Sequence, residues 1–134
     1  NELRIGNILE FDRIFWKVDE ILKTKIIAYY NPYQIYSDDE AKEFNKSDTT
    51  EEFSYGDLQP VPICKEILLK CGFLEVGFYK NVYHKDDFRI IIGDIGCVLQ
   101  ISKDECCIEL ELHSLHHFQN LYFALTGTEL EVKL

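Results

Sequence analysis

Hydrophobic and polar positions alternate through much of this chain and give way to helical spacing at two clear places. Residues 3–11 and 13–22 are rich in β-branched and aromatic side chains, and Asp12-Arg13 between them suits a tight turn. A third extended run, Lys25 to Tyr30, follows the short link Lys23-Thr24, and Asn31-Pro32 ends it. Three successive antiparallel strands opening on Arg4-Ile5-Gly6-Asn7 predict the start of a small SH3-like barrel. Leu58-Gln59-Pro60-Val61-Pro62-Ile63 is extended again, because each proline holds the residue before it in β or polyproline geometry. This segment is expected to pair at a barrel edge and to lead into a second lobe.

Cys64 to Cys71 breaks the alternation. Ile67, Leu68 and Cys71 stand at i, i+1 and i+4, a helical spacing with Gly72 as the C′ residue. Strands over roughly 75–83, 88–92, 97–101 and 106–112 follow as an antiparallel meander. Turns at His84-Lys85-Asp86-Asp87, Gly93-Asp94-Ile95-Gly96 and Ser102-Lys103-Asp104-Glu105 separate them. In the last strand Ile108, Leu110 and Leu112 alternate with Glu109, Glu111 and His113, so one face is buried and one is wet. The final helix runs from Ser114 as N-cap to Thr126, with Gly127 as C′. Leu115, Phe118, Tyr122 and Leu125 form its apolar stripe, which Leu121 and Phe123 widen. Residues 129–134 alternate once more and predict a terminal strand.

The predicted fold class is therefore α+β. An N-terminal SH3-like antiparallel β-barrel lobe takes residues 1–63, with an acidic excursion at about 33–57. An α+β lobe takes residues 64–134, an antiparallel β-meander flanked by two helices, and the two lobes are expected to share one core.

Charge narrows the choice of partners. The chain has 134 residues, with 14 Lys and Arg against 24 Asp and Glu, a net charge of −10. A phosphate backbone repels such a chain, and no basic patch offsets the field, so nucleic acid is disfavoured as a partner. Residues 37–57 hold much of the acid: Asp38, Asp39, Glu40, Glu43, Asp48, Glu51, Glu52 and Asp57 face only Lys42 and Lys46. Tyr36, Phe44, Phe53 and Tyr55 lie among them. Such a pattern either docks on a basic partner, with Asp38, Asp39 and Glu40 as contact candidates, or forms a solvated loop with one or two helical turns at 38–45. No apolar run approaches the ~20 residues of a membrane-spanning helix. The N-terminal residues carry no signal-peptide pattern, which makes the cytoplasm the expected compartment. Cys64, Cys71, Cys97, Cys106 and Cys107 are an odd set without a CxxC pair, expected to be reduced and mostly small buried hydrophobes.

Candidate chemistry is sparse. His113-Ser114-Leu115-His116-His117 is the one cluster of metal-capable side chains, and His113 and His117 stand four apart as zinc-binding pairs do. Spacing fixes no third ligand, and Leu115 occupies the position where an HExxH helix needs Glu, so imidazoles around a helix start are the plainer reading. A small metal-dependent enzyme built on His113, His116 and His117 is the weaker alternative. No nucleophile elbow, dinucleotide-binding glycine fingerprint or Walker loop occurs. Cys97, Cys106 or Cys107 with His113 or His116 makes a nucleophile pair only on paper. No catalytic or cofactor-binding residue is assigned, and the reading leans away from an enzyme. Gln119 and Asn120 stand beside the apolar stripe of the final helix, either facing solvent or presenting a recognition face.

Three islands carry a resemblance. Leu3-Arg4-Ile5-Gly6-Asn7, the segment Leu58 to Ile63 running into Glu66-Ile67-Leu68-Leu69-Lys70-Cys71-Gly72-Phe73, and Leu115 through Gln119-Asn120-Leu121-Tyr122-Phe123-Ala124-Leu125-Thr126-Gly127 to Glu129-Leu130 cover about a third of the chain. They resemble an uncharacterised family of small proteins from Bacteroides-type gut bacteria and their prophages or mobile elements. Family members often carry Thr where this chain has Cys64, which weakens the helix cap here. The resemblance implies a bacterial or phage cytosolic protein and supplies no activity. The expected function is a non-enzymatic accessory or protein-interaction module of a prophage or mobile element. A nucleic-acid-associated small-barrel module is the alternative.

Overall fold

The computed structural model describes residues 2–30, 49–94, 96–103 and 106–133, with the backbone alone at Lys103 and Cys106. The helical turns expected at 38–45, and the candidates Asp38, Asp39 and Glu40, lie outside the described residues. Strand predominates over helix, and the chain divides into two compact units between Val61 and Pro62.

The first unit is one antiparallel sheet. Its strands are β1 (Ile8–Phe11), β2 (Ile14–Ile21), β3 (Lys25–Tyr30), β4 (Thr50–Ser54) and β5 (Gln59–Pro60), in the spatial order β4-β3-β2-β1-β5. Asp12 and Arg13 take φ of 51° and 64°, the left-handed pair whose twist matches the two strands it joins. The Arg4-Ile5-Gly6-Asn7 island is a turn in its own right. Gly6 takes φ 88°, Asn7 is fully buried, and the Asn7 Oδ1 accepts the Arg4 backbone N–H at 2.7 Å. Leu9, Trp16, Val18, Ile26, Ala28, Phe53 and Leu58 form the core, with Trp16 edge-on to Tyr30 and Phe53 at 4.8 Å each.

This unit is not the SH3-like barrel that the strand pattern predicts. Closure requires a strand to bridge β1 and β4. Instead β5 has two residues, pairs only with β1 (Leu9 with Pro60, Glu10 with Gln59), and leaves the sheet open.

The second unit starts with α1 (Lys65–Lys70), whose N-cap Cys64 makes no side-chain capping bond. Its sheet consists of β6 (Leu74–Glu75), β7 (Val82–Lys85), β8 (Phe88–Gly93), β9 (Gly96–Lys103) and β10 (Cys106–Leu112). The order β10-β9-β8-β7-β6 follows the chain. The single strand expected over 75–83 is two short ones, because Val76–Asn81 turns: Tyr79 N–H bonds the Val76 carbonyl, and Asn81 takes φ 64°. One face of the sheet buries Phe88, Ile90, Cys97, Leu99 and Leu112. Helix α2 (Leu115–Thr126) supplies Phe118 and Tyr122 to the same core, with Phe118 5.7 Å from Phe73 and Tyr122 5.4 Å from Phe88.

The Ser114 side chain accepts the His117 N–H, and Gly127 at φ 71° ends α2 by bonding the Phe123 carbonyl. The buried arc departs from the predicted stripe. Leu125 (47% exposed) and Phe123 (40%) face out, while Gln119 and His116 turn inward on the side of Leu115 away from Phe118. After α2 no strand forms over 129–133. Leu130 is buried, and Lys133 N–H bonds the Lys70 carbonyl at the end of α1. Among the described residues no helix is long and apolar enough to cross a membrane.

Candidate interaction surface

Strand alternation gives the second sheet two faces, and register assigns every side chain to one of them. Opposite the core, two cross-strand rows run over β7 to β10. The first is polar: His84, Arg89, Gln100 and Glu109 are successive partners, and Gln100 Nε2 donates to Glu109 Oε1 at 2.8 Å. The second is apolar and then acidic: Val82, Ile91 and Val98 lead to Glu111. Beyond it Gly93 and Gly96 are paired across the β8–β9 hairpin. Two glycines side by side leave the sheet surface bare. The result is a groove of about 460 Å³ lined by Ile91, Gly93, Gly96, Val98, Glu109 and Glu111, with backbone and inner residues beneath. Glu111 overhangs it: a Cβ at Gly96 would meet the Glu111 Oε1 at 3.9 Å. An apolar floor beside two exposed carboxylates suits binding, and burial pushes the Cys97 thiol beneath it up to about 11, which keeps that sulfur protonated.

At the other end of the sheet, the turn after β6 projects Phe78 (98% exposed) and Tyr79, and Leu74 beside it is also exposed. Among the described residues Phe78 is the most exposed large hydrophobic side chain.

The residues singled out by sequence occupy other places. His113 and His117 stack in parallel at 5.1 Å, and His117 Nδ1 accepts the His113 backbone N–H. That nitrogen is committed, while Ser114 Oγ is hydrogen-bonded to His116 Nδ1 at 2.9 Å. Burial lowers the pKa of both His116 and His117, with the neighbouring imidazole adding to it. The histidines thus build the start of α2. Among the described residues no group of three or more His, Cys, Asp or Glu can hold a metal ion. Gln119 is only 3% exposed and belongs to the interior, and Asn120 is half-buried. Of the acidic excursion, Phe53 lies in the first core, Glu52 pairs with Lys25 at 2.8 Å, and Tyr55 Oη donates to the Leu22 carbonyl. Cys64, Cys71, Cys97 and Cys107 are free thiols, and burial pushes Cys71 up to about 12.

Sequence reasoning missed the groove. Its signal was present in Ile91 and Val98, apolar at positions that alternation assigns to the wet face, beside the glycines at 93 and 96. Comparison of the chain with protein-family models, curated proteins and solved structures returns no match, so its function is read from this surface alone.

Proposed function

We propose that the protein is a non-enzymatic interaction module, an accessory of a prophage or mobile element that acts through a protein partner in the bacterial cytoplasm. The observation that carries the reading is the glycine-floored groove on the open face of the second sheet, where Ile91 and Val98 lie beside Glu109 and Glu111. A contiguous apolar patch rimmed by charged and polar residues is the usual mark of an interaction site. Exposed Phe78 and Tyr79 add a second apolar contact of the residue type enriched at interfaces. The origin rests on the three resembling islands. Their residues are spent on architecture: Gly6 and Asn7 in a turn, Gly72 at φ 84° after α1, Phe118 and Tyr122 in the core.

The test is a photo-crosslinking amino acid placed at Val98 in the native host, with a control at exposed Lys23 in the first unit. The expected result is one protein adduct specific to the groove position. Equal labelling from both positions, or nucleic acid in place of protein, overturns the reading.

A further inference from the structure

Strand β10 ends its sheet, and nothing among the described strands pairs with its outer side. The opposite edge, β6, is only two residues long. By contrast β10 has seven, and its register on β9 runs unbroken from Cys106–Lys103 to Leu112–Cys97. Edges of this length are usually blunted by charged side chains, lysine above all, by proline or by a bulge. No lysine, proline or bulge interrupts Cys106-Cys107-Ile108-Glu109-Leu110-Glu111-Leu112, whose only charges are the two carboxylates, so the edge repels acidic strands and stays open to basic ones.

The geometry points to β10 as an acceptor for an added strand from a basic partner, an extended segment in which arginine or lysine alternates with aliphatic residues. This deepens the interaction reading above and rests on it. An added strand continues both faces of the sheet, with each side chain ~4.5–5.5 Å from the one opposite. On the outer face it meets exposed Glu109 and Glu111, which call for cations. On the other face it meets Ile108, 54% exposed, and half-buried Leu110, which call for aliphatic side chains. An arginine opposite Glu111 lies next to the groove, where its aliphatic stem covers apolar surface while the guanidinium meets carboxylate. Residues 62–133 carry 7 Lys and Arg against 11 Asp and Glu, a net −4 that favours the approach of a basic segment. A second copy of β10 fits badly: pairing that keeps the apolar faces together sets Glu109 and Glu111 against their own kind, and like charges directly opposite destabilise a sheet. Main-chain bonds supply the affinity, and the alternating side chains supply the specificity.

The probe is the hexapeptide acetyl-Arg-Val-Arg-Val-Arg-Val-amide, titrated into the full chain by isothermal calorimetry and followed by amide hydrogen exchange. Binding with slowed exchange across 106–112 is expected. The glutamate counterpart and a peptide N-methylated at alternate residues are expected not to bind. Glu109→Gln with Glu111→Gln should weaken the basic peptide roughly 2- to 30-fold, the worth of two exposed ion pairs. Ile108→Lys should weaken it too. No binding, protection elsewhere, or equal affinity for the double variant overturns the proposal. If the peptide fails while Val98 still cross-links a partner, strand addition is refuted and the interaction reading stands. Failure of both refutes both.

Discussion

Replacing Phe118 by alanine removes one of the two rings that pack α2 against the rest of the second unit. Phe118 is fully buried and meets Phe73 at 5.7 Å and 62° and Tyr122 at 6.2 Å and 83°, both edge-on. Deleting a buried phenylalanine costs roughly 3–5 kcal/mol, the lost transfer energy plus the cavity that remains. Each edge-to-face pair is worth ~0.5–1.5 kcal/mol beyond its buried area, which places this site in the upper half of that range. For a unit of this size each kcal/mol lowers Tm by about 4–8 °C, so a fall of roughly 16–40 °C is expected. Far-UV circular dichroism follows the loss of α2, while fluorescence of the single tryptophan, Trp16, reports the first unit. Urea titration should show a lower midpoint at an unchanged m-value. Gln119→Ala, next along the helix and also buried, leaves polar partners unsatisfied and should cost about 1–3 kcal/mol. A Phe118→Ala protein melting within about 4 °C of wild type, less than 1 kcal/mol on this scale, would refute the packing argument.

Acid should weaken the second unit through its histidines. The folded state lowers the pKa of His116 and His117 below 6.5, so their contribution is complete above that pH and is lost as pH falls through it. Urea midpoints at pH 7.5 and pH 5 should fall less for His116→Gln than for wild type, and parallel slopes would contradict this. Duplex DNA and RNA should not bind at physiological salt, because the chain carries −10. Micromolar gel shifts that weaken steeply with added salt would overturn that expectation. Ellman titration of the unfolded, unreduced protein should find five thiols, and a smaller number would indicate disulfides.

Legibility in the sequence followed how local each determinant is. Asp12-Arg13 between two alternating runs marks a hairpin, and Ser114 with Gly127 marks both ends of α2, since turns and caps are decided within a few residues. Barrel closure is not local. It depended on which strand β5 joins and for how many residues, and nothing in Gln59-Pro60 announces a partner. The run 75–83 looked continuous because Gly77 and Asn81 are isolated breakers in an otherwise β-prone stretch. Similarly, the alternation at 129–133 was real, but its one buried residue, Leu130, serves a strap and not a ladder. Helical period placed Leu125 on the stripe, whereas the centre of the buried arc lies at Leu115 and Gln119. The groove escaped notice because a glycine pair at a hairpin reads as turn chemistry. Only cross-strand register reveals that Gly93 and Gly96 stand opposite each other beside Ile91 and Val98.

The pairing of β3 with β4 sets the terms on which the acidic excursion exists. Tyr29 and Thr50 are direct cross-strand partners, so the two ends of the segment between them are held one pair spacing apart, ~4.5–5.5 Å. A two-residue turn would satisfy the same geometry, so the register of β3 on β4 places no demand on the length of that segment. At Asp12-Arg13 the tolerance is reversed, because one residue more or less would turn every side chain of the following strand to the opposite face. The pairing of β3 with β4 thus leaves the length and charge between them unconstrained, while the link between β1 and β2 is fixed to the residue.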